Sequence, residues 1–161
     1  KITLAGGTLS FVGDSNQETN RAINLTAASG LAANGVNDAT ITYNGAISST
    51  ELTLTLSGTG PGVITGGITV APPGTGTPAA DIVVNGGNWT IKDGNVVISD
   101  DLLINGGTLT LQDMLLTIND DVVVTGTSTV LNLNSTGVWT ATTVTGTSSG
   151  LHARNGAIIN L

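Results

Sequence analysis

Residues 81–100 read DIVVNGGNWTIKDGNVVISD, and residues 101–120 follow directly as DLLINGGTLTLQDMLLTIND. The two blocks agree in their apolar pattern, their NGG triplet and their acidic ends. The next block opens as DVVVTGTSTVLNL, and the chain itself opens as KITLAGGTLSF. Gly66, Gly86, Gly106, Gly126 and Gly146 stand 20 residues apart, and Gly6 keeps the same phase. A fixed period of this length marks a stacked-repeat architecture.

Within the blocks the signal is strand. Leu52, Leu54 and Leu56 alternate with Thr53 and Thr55, as Val96 alternates with Ile98 and Leu116 with Ile118. Such period-two patterning describes a strand with one buried face. NGG, KDG, NDD and TGT separate the runs, and these are turn formers. Helix signals are few. The expected fold is all-β: a parallel β-helix, or β-solenoid, of about eight 20-residue coils. At the ordinary strand spacing it stands roughly 38 Å tall.

Stacked in register, the blocks predict three internal ladders. One holds Leu4, Ile64, Val84, Ile104, Val124 and Val144. Another holds Phe11, Leu31, Ile91, Leu111, Leu131 and Leu151. A third holds Ile98, Ile118, Val138 and Ile158. The phased glycines are assigned to corners, where Gly tolerates positive φ. Asn85 and Asn105 precede two of them and are expected to bond along the axis, while Thr125 and Thr145 precede two others.

The chain reads as one solenoid segment. Residues 1–20 form a regular coil, 21–60 less regular coils, 61–80 a coil with a loop, and 81–161 regular 20-residue coils. The loop is APPGTGTPAA at 71–80, because proline cannot donate to a central ladder. The start at KITL and the stop at AIINL show no polar cap. The expectation is a longer chain or a head-to-tail polymer, since open strand edges pair.

Composition narrows function. The formal charge is −7, and the only basic residues are Lys1, Arg21, Lys92 and Arg154, too few and too scattered to bind nucleic acid. Charged residues make up 9% and hydrophobic ones 39%, which suits packed strands rather than a solvated tail. No cysteine is present, which removes disulfides and thiolate chemistry. No apolar run is long enough to span a membrane as a helix.

Candidate chemistry is sparse. Asp100, Asp101, Asp120 and Asp121 form two acidic pairs one coil apart, and Asp93 and Asp113 share a phase. Stacked carboxylates repel or invite a cation. Hard Ca²⁺ takes several oxygen ligands, so these four aspartates are weak calcium candidates set against solvated turn acids. No other cofactor is expected. Trp89 and Trp139 fall in different columns and are read as packing or edge-covering residues. His152, the only histidine, lacks a hydroxyl–imidazole–acid arrangement nearby. GTGTP and GTGPG are not phosphate loops, because no Lys follows and no helix begins. Asn24, Asn88 and Asn134 sit in N-x-S/T sequons, which a sequence this rich in Asn and Thr generates by chance.

NRAINLTAASGLAANG (20–35), ITYNGAISSTELTLTLSGTG (41–60) and ITGGITV (64–70) resemble the passenger regions of autotransporters with autotransporter-associated β-strand repeats. VNGGNWTI and INGGTLTL are similar to them too. The resemblance implies a right-handed parallel β-helix, exported and displayed outside the cell as an adhesin, stalk or matrix component. A C-terminal membrane barrel is not part of this sequence, and the resemblance carries over no catalytic residues.

The leading expectation is therefore a non-enzymatic extracellular structural or adhesive solenoid. Its partners are further solenoid coils, or surface glycans and matrix. The rivals are a carbohydrate-active β-helix, which needs paired carboxylates across a groove, and a binding module acting through the 71–80 loop.

Overall fold

A computed structural model describes residues 1–50, 52–71, 81–113, 116–118, 121–134 and 151–160. The chain winds in successive coils. The first carries β1 (Ile2–Phe11) and β2 (Gln17–Thr19), and the second β3 (Ile23–Ala33) and β4 (Ile41–Tyr43). The third carries β5 (Ile47–Thr50), β6 (Leu54–Gly58) and β7 (Pro61–Ile64), the fourth β8 (Ile68–Ala71) and β9 (Ile82–Lys92). The fifth carries β10 (Val96–Ile98) and β11 (Leu102–Gln112). The sixth carries β12 (Leu116–Ile118), β13 (Val122–Thr125) and β14 (Val130–Asn134). Beyond them come β15 (Leu151–Arg154) and β16 (Ile158–Asn160).

Every pairing among the described residues is parallel and joins neighbouring coils, which makes the fold a parallel β-solenoid, with three faces in its described coils. The first face runs Ile2, Ile23, Ile47, Ile68, Val96, Leu116. The second runs Leu9, Leu31, Leu56, Val84, Ile104, Val124, Ala153. The third runs Gln17, Ile41, Gly62, Trp89, Leu109, Leu131, Ile159.

The long strands β1, β3, β9 and β11 each serve two faces by bending round a corner. In β9, Ile82 and Val84 point inward, and so do Trp89 and Ile91. Inward positions in a straight strand are an even number of residues apart. The five-residue step from Val84 to Trp89 therefore marks the bend, and Asn85-Gly86-Gly87-Asn88 occupies it. β11 repeats the arrangement with Ile104 and Leu109 around Asn105-Gly106-Gly107-Thr108.

The ladders are continuous, but not all as the 20-residue period predicts. Val84, Ile104 and Val124 are stacked neighbours, as are Ile91 with Leu111 and Ile98 with Ile118. Leu4 instead pairs with Leu25 on the first face, and Ile64 with Ile91 on the third. Phe11 pairs with Ala33, while Leu31 lies on the second face. Leu131 pairs with Leu109, Leu151 with Val122, and Ile158 with Val130. Val138 and Val144 lie outside the described residues. The cause is coil length. Ile47 follows Ile23 by 24 residues and Val96 follows Ile68 by 28, so residue arithmetic loses phase at each insertion. For the same reason the second face has seven rungs among the described residues, fewer than the eight coils expected.

The phased glycines occupy three different corners. Gly6 lies between the first and second faces, Gly66 between the third and first, and Gly86, Gly106 and Gly126 between the second and third. Gly146 lies outside the described residues. Left-handed backbone is found at Gly6 and Gly126, but Gly66 and Gly106 lack it. In the GG pairs the second glycine takes it consistently: φ is +83° at Gly7, +79° at Gly67, +80° at Gly87 and +77° at Gly107.

Candidate functional site

The corner between the first and second faces gathers the acids. Asp81, Asp101 and Asp121 stack there, each just before a second-face strand. Asp81 is almost fully buried. Its carboxylate accepts the backbone N–H groups of Ser99 and Asp100, both at 2.8 Å. Its own N–H donates to the carbonyl of Asp101 at 3.0 Å, and its carbonyl accepts the N–H of Leu54 at 2.9 Å. One coil further on, Asp101 Oδ1 accepts the N–H of Asp121 at 2.9 Å. The carboxylates thus satisfy backbone donors that the turn would otherwise leave unpaired.

Burial raises the Asp81 carboxyl above its ordinary 3.8, and the negative charges of Asp100 and Asp101 push the same way. The two N–H donors pull it back only in part. Above the raised native value the group is charged in both folded and unfolded states, and the full cost of its burial is present. As pH falls through that value the native form takes up a proton first, so stability contributed at this site rises on acidification. Asp81→Asn keeps an acceptor and drops the charge. Its expected stability at pH 7 is equal to or above the parent, with a weaker rise towards pH 4. Asp81→Ala leaves both donors unpaired and is expected to lose about 1–3 kcal/mol. Urea unfolding across pH 4–8 checks both variants.

Of the four calcium candidates, Asp101 is engaged with Asp121 as described, and Asp100 flanks the Asp81 carboxylate. Asp120 lies outside the described residues. Among the described residues no three acidic or imidazole side chains converge as a metal site. Asp93 and Asp113 sit at the corner from the third to the first face with φ of +62° and +49°, which Asp tolerates in turns. The sequence reading passed over Asp81 as a buried group, although its phase with Asp101 and Asp121 was a usable signal.

At the same corner of the second and third coils lies an open depression of about 370 Å³, lined by Asn24, Leu25, Thr26, Ser48, Ser49 and Leu52. Its hydroxyls are committed within the protein. Thr26 donates to the Leu4 carbonyl, Ser49 to the Leu52 carbonyl and Ser48 to Asn24 Oδ1. The 71–80 loop of the sequence reading, beyond Ala71, lies outside the described residues.

Trp89 is a core residue, fully buried and stacked on Tyr43 with ring centroids 6.4 Å apart at 17°. Burial pushes the Tyr43 phenol up to about 12. Trp139 lies outside the described residues. His152 is placed on β15 opposite Val123. Asn88 is exposed on the third face, and Asn134 pairs with Gln112. Asn105 Nδ2 donates to Asn85 Oδ1 at 3.2 Å, which is the axial asparagine bond expected from the sequence. The described residues contain no helix able to cross a membrane. Comparison of the chain with protein-family models, curated proteins and solved structures finds no match.

Proposed function

We propose that the chain is a segment of an extracellular structural or adhesive β-solenoid whose end coils stack on further coils of the same kind. One observation carries this reading. In the first coil the inward residues Ile2, Leu4, Leu9 and Phe11 are only partly buried, whereas Ile23, Leu25, Leu31 and Ala33 beneath them are at most 2% exposed. The core therefore runs up to an edge that none of the described residues covers. Ile2 N–H is spent on the Ala22 carbonyl of the second coil. Parallel ladders alternate, so the N–H of Thr3 faces the open side. A further coil laid there, from the same chain or a second copy, extends core and ladder together. The two ends of a parallel solenoid differ, so stacking of copies is head to tail and does not close. Placement outside the cell is supported by the absence of cysteine, the low charge and the autotransporter-like segments.

Light scattering and electron microscopy of the 161-residue chain test the proposal. The expected result is mass that grows with concentration and rods that lengthen into filaments. Thr3→Pro, which removes an edge donor without touching the bond to the second coil, is expected to stop growth. Rods that stay monomeric at every concentration would overturn self-association.

A neutral-sugar binding role is the second reading, favoured by the depression at Asn24 and Ser48, whose described lining carries no charge and whose hydroxyls, donating within the protein, keep their acceptor lone pairs for a sugar hydroxyl. Saturation-transfer NMR with neutral hexoses, compared between the parent and Ser48→Trp, tests it.

A further inference from the structure

Five asparagines precede glycine: Asn34, Asn44, Asn85, Asn105 and Asn155. Asn–Gly is the dipeptide most open to spontaneous deamidation, because glycine puts no side chain in the way of attack by its own backbone nitrogen. All five lie at coil corners, and in all five the side-chain amide is hydrogen-bonded to an adjacent coil. Asn34 Nδ2 donates to Ser10 Oγ at 3.0 Å, and its Oδ1 accepts the N–H of Thr59 at 3.2 Å. Asn44 Nδ2 donates to Asn20 Oδ1 at 3.0 Å, and its Oδ1 accepts the Thr65 hydroxyl at 2.8 Å. Asn85 and Asn105 bond to each other. Asn155 Nδ2 donates to Thr125 Oγ1 at 2.9 Å.

We infer that the five Asn–Gly corners are deamidation sites which inter-coil stacking holds shut, so that the solenoid keeps its asparagines while folded and loses them where coils open. In the reaction the glycine nitrogen bonds to the asparagine Cγ and the Cγ–Nδ2 bond breaks. The amide proton leaves with the departing ammonia. Water then opens the cyclic imide to aspartate or isoaspartate. Ring closure needs Cγ to swing over the following peptide nitrogen, and an amide tied to the next coil must give up its bond to make that movement. The inter-coil bonds therefore oppose the step directly, besides ordering the backbone. Each event also replaces a neutral donor by a carboxylate. At Asn105 that sets an anion against the Asn85 oxygen and weakens the coil pair for the next event.

The number of bonds predicts an order. Among the described residues, Asn34 and Asn44 are held at both ends of the amide, and Asn85, Asn105 and Asn155 at one. One bond of ordinary net strength corresponds to about fivefold in rate. Folded protein and protein in denaturing urea are incubated at pH 8.5 and followed by peptide mass mapping with isoaspartate detection. All five sites are expected to react at least about tenfold faster in urea, with Asn34 and Asn44 slowest in the folded chain. Thr125→Val is expected to speed Asn155 alone, and Ser10→Ala to speed Asn34 alone, each about fivefold. Circular dichroism reports whether each variant is folded. Equal rates in folded and denatured chains would overturn the inference. So would unchanged rates at Asn155 and Asn34 in folded variants, or a uniform rise at all five corners.

Discussion

Trp89→Ala is expected to lose about 3–5 kcal/mol of stability, enough to unfold a domain of ordinary marginal stability. Trp89 is fully buried on the third face, and its neighbour in the preceding coil is Gly62. A Cβ at Gly62 would come within 2.5 Å of the Trp89 ring, so the absent side chain of one coil is the space filled by the indole of the next. The ring reaches Tyr43, one coil further, and its Nε1–H donates to the Ser57 carbonyl at 3.1 Å. Removing the indole opens a cavity that Gly62 has no atoms to fill, so the cost lies at the upper end of the usual range. Trp89→Phe keeps a ring and loses the donor, with an expected loss of about 1–2 kcal/mol. Urea unfolding of both variants decides the matter. A loss below about 1 kcal/mol for Trp89→Ala would mean that the indole is not a structural anchor.

Gly107→Ala carries the second large effect, and Gly7→Ala is its control. Both glycines are left-handed, at φ +77° and +83°. An alanine pays about 1–2 kcal/mol for that conformation alone. At Gly7 nothing lies within 4 Å of the added carbon, so this is the whole expected loss. At Gly107 the added carbon runs into the Gly87 backbone of the preceding coil, including its carbonyl oxygen. Backbone cannot rotate out of the way as a side chain can, so the coils must separate. The combined loss is expected at about 2–5 kcal/mol. Thermal unfolding of the two variants side by side measures the difference, which is the cost of wedging the coils. Equal losses would show that conformation, not close coil contact, selects glycine at this corner.

The fold class was legible because its signals are local. Alternation at Leu54 and Leu56 or Val96 and Ile98 marks strands wherever they lie. The odd step from Val84 to Trp89 around NGG marks a bend in any strand that carries it. Where coils keep 20 residues, period and pairing coincide, and Val84, Ile104 and Val124 were placed correctly. The acidic corner was half legible. Stacking of aspartates follows from phase, but the reading as a possible cation site missed that Asp101 caps Asp121 and that Asp81 is buried beneath Ser99 and Asp100.

The amino-acid sequence by itself determined that this chain is all strand and turn, that its strands bury one face, and that its coils stack. Alternation, glycine pairs and repetition act over a few residues or a single period. Which coils' residues touch was decided only in the tertiary structure. A parallel ladder is set by backbone pairing between residues 20 to 29 apart, and every added corner residue slips that register without changing any local signal. Ile64 therefore faces Ile91 rather than Val84, Trp89 fills the space above Gly62, and each Asn–Gly amide finds its partner on another coil.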